Sequence, residues 1–188
     1  DSEELRKVLK YSKELQKGTK IIFLSSLDSS FSRKTSHAIL SEAKENLCKF
    51  YASVSKLDIK IVQIPYFYSG TYKKDFLYKM FDKLDANKTV VINENPHDAM
   101  QFLCIRDLSQ LLVRLVDNWK SGSGILTVVD DFGYRFSELR DKLIGLKQGT
   151  KVDFSGSSDH NEVTVNNKAL RNEYGWFAKI SILEDLAE

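Results

Sequence analysis

Residues 20–45 read KIIFLSSLDSSFSRKTSHAILSEAKE, and this stretch decides the fold. Ile21-Ile22-Phe23-Leu24 is apolar without alternation. That predicts a short strand over 21–25, covered on both faces as in a parallel sheet. A serine-rich turn follows. Ile39, Ala43, Leu47, Phe50 and Val54 then recur at helical spacing, which predicts a helix from about 36 to 54 that buries this stripe. Residues 58–64 are rich in Ile and Val and end at Pro65, the mark of a second strand. Strand, helix and strand at this spacing form a βαβ unit with a right-handed crossover.

Working outward, 2–17 reads as a helix. Ser2 is its cap, Leu5, Val8, Leu9 and Leu15 share a face, and Gly18 ends it. After Pro65 come an aromatic loop, Tyr66-Phe67-Tyr68-Ser69-Gly70, and a helix over 73–84. Strands are expected at 89–92 and 125–129, with a short extended stretch at 102–105. Leu108, Leu111, Leu112, Leu115 and Val116 mark another amphipathic helix. Ser137 is read as the cap of a helix carrying Leu139, Leu143 and Ile144. Short strands at 149–155 and 163–165, a helix over 167–174 closed by Gly175, and a helical turn at 181–187 complete the chain. The expected class is α/β, a partial Rossmann-like parallel sheet with a small α+β lobe. Residues 1–64 form the sheet half. Residues 65–188 form the lobe, interleaved with the last sheet strands.

The 188 residues suffice for one domain with a core. A net charge of +2, with Lys and Glu interspersed, gives no patch for a nucleic acid. Cys48 and Cys104 each lie alone in an apolar segment. Buried free thiols in a reducing, cytoplasmic setting are therefore expected. No apolar run approaches the roughly 20 residues of a membrane span. The acidic opening, Asp-Ser-Glu-Glu, is unlike a signal peptide.

Several spaced signals resemble the C-terminal part of an extended short-chain dehydrogenase, the NAD-dependent epimerase/dehydratase family that modifies nucleotide sugars. Ile22-Phe-Leu-Ser-Ser26 resembles the strand carrying the family's Ser-Ser. Ala43 and Glu45 resemble the Ala-Glu of its catalytic helix. Ile64-Pro65 followed by Gly70 resembles its Arg-Pro…Tyr-Gly loop. Phe102 to Leu108 resembles its Phe-Ile-x-Val-Asp-Asp-Val. Residues 168–176 and 181–186 resemble its closing Leu-Gly-Trp…Ser-Leu-Glu pattern.

The resemblance implies NAD(P) as cofactor and a nucleotide sugar as ligand. However, the family's G-x-x-G-x-x-G has no counterpart among the nine glycines. The dinucleotide half is expected outside this chain, as a missing N-terminal half or on a partner. The family's catalytic Tyr falls at His37, its Lys at Ser41 and its Ser/Thr at Leu27. The motifs are thus degenerate. His37 and Ser26 remain as catalytic candidates, His37 because imidazole titrates near neutrality. The plainer readings are a helix-opening His37 and a Ser26 that satisfies nearby backbone. Tyr66, Tyr68 and Arg106 are the substrate-binding candidates, against core and rim packing for the two tyrosines. Asp107 is read as the cap of the helix at Leu108. His37, His97 and His160 lack metal-ligand spacing, so no metal is expected. Asp130-Asp131 reads as a turn, and Trp119 and Trp176 as packing residues.

The functional expectation is a protein without catalysis of its own, binding a sugar nucleotide or a partner. Two alternatives stay open. One is part of an active epimerase, dehydratase or reductase completed by another half. The other is a structural or homodimerisation lobe.

Overall fold

The structure is a computed structural model describing residues 2–14, 19–30, 35–69, 75–156 and 167–186. Helix α1 (Ser2–Glu14) precedes strand β1 (Lys20–Ser26). A 3-10 turn at Leu27–Ser30 leads toward α2 (Ser36–Ser55) and β2 (Asp58–Ile64). The Thr35 hydroxyl caps α2 by accepting from Ala38 N. Next come β3 (Tyr66–Tyr68), α3 (Phe76–Asp85), β4 (Val90–Ile92), β5 (Phe102–Cys104) and α4 (Ile105–Asp117). The chain closes with β6 (Gly124–Thr127), α5 (Phe136–Leu146), β7 (Val152–Phe154), α6 (Lys168–Tyr174) and α7 (Ile182–Asp185).

The fold is α/β and partly Rossmann-like, and every named strand pair is parallel. The main sheet has the order β1-β2-β6, with Phe23 opposite Ile61 and Ile61 opposite Ile125. β3 pairs with β5, and β4 with β7. One core lies between α1, α2 and the sheet, built on Leu9, Cys48, Ile59 and Ile61. A second fills the opposite side of the sheet, where Val62 and Leu103 meet Leu111, Leu115 and Trp176. A third holds the lobe around Tyr68, Met80, Ile92 and Phe102.

Helix α2 corrects the sequence expectation most sharply. Its buried residues are Ala38, Ser41, Glu45 and Cys48. Ile39, Phe50 and Val54, at the expected buried stripe, are 57, 58 and 62% exposed. The two stripes lie half a turn apart around the helix. Small and polar residues face the sheet because Glu45 has hydroxyl and amide partners there. The apolar stripe faces outward.

Strand β1 is also less covered than expected. Ile21, Ile22 and Phe23 are half-buried and Leu24 is exposed, whereas β2 is buried from Ile59 to Ile64. Among the described residues β1 pairs only with β2.

Asp107 does not cap α4, which starts earlier, at Ile105. Its Oδ2 accepts from Lys179 N at 2.8 Å and Ile180 N at 2.9 Å, tying the closing segment to α4. Helix α5 starts at Phe136 rather than after Ser137, and Arg135 N donates to Glu138 Oε2. Both tryptophans pack. Trp119 Nε1 donates to Asp58 Oδ2, and Trp176 Nε1 to Asp107 O. Asp130 closes its turn by accepting from Phe102 N and Phe132 N. Both cysteines are buried and free. Among the described residues no helix is long and apolar enough to cross a membrane. Residues 15–18, Gly70 and the expected strand at 163–165 lie outside the described residues, as does His160.

Candidate functional site

Parallel strands end together, and the loops leaving their carboxyl ends can form a crevice. Here the C-terminal end of β1, the following turn and the first two turns of α2 meet the segment after β2. They enclose a cleft of about 780 Å³. Ser25, Ser26 and Asp28 line it from the strand end. His37, Ser41 and Lys44 line it from α2, and Pro65, Tyr66 and Phe67 from the loop after β2. Phe76 and Lys79 line it from α3. His37, Ser41 and Lys44 stand at i, i+4 and i+7, so helical geometry puts them on one face.

A buried polar cluster holds the strand end in place. Glu45, 2% exposed, accepts from Ser25 Oγ and Ser29 Oγ, each at 2.6 Å. Gln63 Nε2 donates to both of its carboxylate oxygens at 3.1 Å. Gln63 Oε1 accepts from Ser30 Oγ and Thr127 Oγ1. The cluster therefore ties α2, β1, the turn, β2 and β6 together with hydroxyl and amide donors. A buried carboxylate needs such partners, because desolvation without them costs several kcal/mol.

The structure brings some sequence candidates to the cleft and places others elsewhere. Ser26 lines it, and its hydroxyl accepts from Asp28 N at 3.2 Å. His37 is exposed at the helix start, its Nδ1 3.7 Å from Asp28 Oδ2. Ser41 lines the cleft at 9% exposure. Tyr66 lines it too, its ring 6.0 Å from that of Phe102. Partial burial, with Asp28 and Glu94 nearby, pushes the Tyr66 phenol above its ordinary value. Leu27 is 1% exposed and packed inside. Tyr68 is wholly buried in the lobe core, its hydroxyl without a partner among the described residues. Its phenol is pushed far up, by burial first. Arg106 turns to α7, with Nη2 2.5 Å from Asp185 Oδ1, while its neighbour Ile105 lines the cleft.

A second cavity of about 280 Å³ shares Tyr66, Phe76 and Lys79 with the cleft and continues to Asn93, Glu94 and Phe136. Burial first, then Asp98 and Asp28, raise the Glu94 carboxyl above its ordinary value. Gly156 abuts this region. A Cβ built there would stand 2.3 Å from Glu94 C, so only glycine fits against that backbone. Among the described residues no three His, Cys, Asp or Glu side chains are grouped to hold a metal.

Sequence reasoning missed Asp28, Glu45, Lys44, Lys79 and Phe76 as site or support residues. A signal for Glu45 was present. The stripe of Ala38, Ser41, Glu45 and Cys48 is unusual enough to announce a polar contact at the sheet.

No protein-family model matches the chain, and no curated protein matches it. Solved structures do. A UDP-glucuronic acid 4-epimerase from Bacillus cereus, in complex with UDP-glucuronic acid and NAD, superposes with a TM-score of 0.83 at 13% identity, covering 97% of this chain and 63% of its own. RMD from Pseudomonas aeruginosa complexed with NADPH gives 0.74 at 15% identity, covering 97% and 68%. A UDP-glucose 4-epimerase from Thermotoga maritima, with UDP-glucose, gives 0.74 at 14% identity, covering 97% and 64%. The chain spans less than two thirds of the length of the first of these. Nearly all of this chain therefore has the fold of part of a nucleotide-sugar epimerase, and the likeness is one of fold.

Proposed function

We propose that this chain is a ligand-binding relative of nucleotide-sugar epimerases that holds a sugar nucleotide in the cleft and moves neither hydride nor proton. The observation that carries the reading is the face of α2 at the cleft. The cleft is about 780 Å³, within the range of small-molecule sites. Yet its helix presents His37 and Ser41 where the resemblance puts Tyr and Lys, and Leu27 is buried where it puts Ser or Thr. Ser41, a neutral side chain, stands where the resemblance puts the cation that assists proton transfer.

NAD(P) fits the described residues poorly. No glycine among them lines the cleft, so they offer no close backbone cradle for a pyrophosphate. No step is therefore routed through the cofactor. A dinucleotide-binding unit pairing with the open edge of β1 would supply that cradle, on this polypeptide or on a partner. Two buried thiols suit a reducing, cytoplasmic setting.

The test is calorimetric titration with UDP-, dTDP- and GDP-sugars, beside a chromatographic assay of conversion of the same sugars in the presence of NAD(P). Binding without turnover is expected. Turnover that His37→Ala abolishes would instead establish a divergent active site.

A second reading rests on the outward stripe of α2. Ile39, Phe50 and Val54 are exposed together, with Val8 and Tyr11 of α1 also exposed. A second copy of this chain is the occupant that suits them. In an antiparallel pairing about position 46–47, Ile39 faces Val54, and the small Ala43 faces the large Phe50.

A further inference from the structure

The charged groups around the cleft are unevenly committed. Asp75 caps α3, accepting from Leu77 N at 2.8 Å, and its other oxygen accepts from Ser69 N. Asp28 faces His37. Lys44 and Lys79, by contrast, have no ion-pair partner among the described residues. Ser41 is 91% buried, lines the cleft and makes no side-chain hydrogen bond among the described residues. Its Oγ is not among the buried polar atoms left without a partner, so the hydroxyl opens to the cleft, where a ligand can reach it. It sits one turn after His37 and one turn before Lys44 on the cleft face of α2.

From this juxtaposition we infer that Ser41 and Lys44 of α2, with Lys79 of α3, form a receptor for an anionic oxygen group, a phosphate or carboxylate of the cleft's ligand. The receptor deepens the sugar-nucleotide reading and rests on the same cleft. The hydroxyl donates one directed hydrogen bond. The two ammonium groups supply charge from separate helices. Where a catalytic lysine would serve proton chemistry, the chain instead has a neutral donor flanked by cations, an arrangement suited to holding charge still.

The experiment titrates the full chain calorimetrically with inorganic phosphate, pyrophosphate, glucuronate and a UDP-sugar at low salt, in parallel for Lys44→Glu, Lys44→Ala, Ser41→Ala and Lys49→Glu. Lys49 does not line the cleft, and among the described residues its ammonium group bonds only Asn46. Lys44→Glu is expected to weaken the anion that binds by roughly tenfold or more, and Ser41→Ala several-fold. Lys49→Glu is expected to leave it unchanged. Raising the salt is expected to weaken binding to the parent more steeply than to Lys44→Ala, which keeps Lys79 as its one ammonium group. Whether phosphate or glucuronate binds identifies the source of the charge, and either supports the receptor. Circular dichroism of each variant checks the fold. UDP-sugar binding unaffected by Lys44→Glu and Ser41→Ala would overturn the receptor and leave the sugar-nucleotide reading standing. Anion binding that needs Lys44, with no UDP-sugar bound, would support the receptor and overturn that reading. No binding of any anion would overturn the receptor.

Discussion

The Ser25 hydroxyl donates to Glu45 Oε1 across 2.6 Å, joining the end of β1 to the middle of α2. The same oxygen accepts from Ser29, and Gln63 reaches both carboxylate oxygens from β2. The contact sets the floor of the cleft, because Ser25 and Ser26 line it directly above this buried acid.

Glu45→Ala leaves Ser25, Ser29 and Gln63 short of an acceptor in a buried site. Stability is expected to fall by about 3–5 kcal/mol, read from urea unfolding. Glu45→Gln, which keeps the shape and one acceptor oxygen, is expected to lose less than half of that. Equal losses for the two variants would argue against the hydrogen-bond account.

Gly156→Ala places a methyl group against the Glu94–Asn95 backbone, which cannot swing aside as a side chain would. A loss of roughly 1–3 kcal/mol is expected, with the melting temperature falling accordingly. Gly145→Ala is the control, since its added Cβ meets nothing within 4 Å. That variant should melt at or above the parent temperature, because alanine favours a helix interior.

Asp107→Ala removes the acceptor of Lys179 N and Ile180 N. Their amide protons are expected to exchange with solvent far faster than in the parent, while those of β2 hold their protection. Unchanged exchange at 179 and 180 would show that the closing segment is held by other contacts.

Phe50→Glu and Val54→Ser change residues more than half exposed. As a monomer, the chain should tolerate either within about 0.5 kcal/mol. If two copies meet through α2, sedimentation of the parent at high concentration shows a dimer and Phe50→Glu abolishes it. A parent monomeric at every concentration would remove the self-association reading.

Burial, and secondarily the nearby Glu45, push the Cys48 thiol up from 9.0 to about 11. The folded state therefore holds its proton where the unfolded chain releases it. The stability this contributes is complete below pH 9 and is lost as pH rises from about 9 to 11. Cys48→Ala is expected to flatten that limb of the stability curve. Alkylation of the native protein near pH 8 should be slow, since the thiolate is the reactive form.

Most elements were legible in the chain because each is written locally. The helix over 36–54 has a start signal and a long periodic run, and it spans Ser36–Ser55 in the structure. The strand at 58–64 is continuous in Ile and Val, with Pro65 as its stop. The spacing of His37 and Ser41 was legible as well, since i and i+4 share a face by helical geometry alone, and Ser25-Ser26 marks a strand end. The destination of long side chains was not legible. Arg106 finds Asp185 across 79 positions, and Tyr68 enters the lobe core while Tyr66 stays at the cleft.

By itself, then, the sequence determined the order of strands and helices and the βαβ crossover. Each of these depends on neighbours within a few turns of chain. Only the tertiary structure decided which face of α2 meets the sheet, that β6 joins β2 from more than 60 residues away, and which polar groups gather at the cleft. Periodicity says that a helix has an apolar stripe, but not what lies beyond it. Glu45 is drawn inward by Ser25, Ser29 and Gln63, which reach it from separate elements only once the chain has folded.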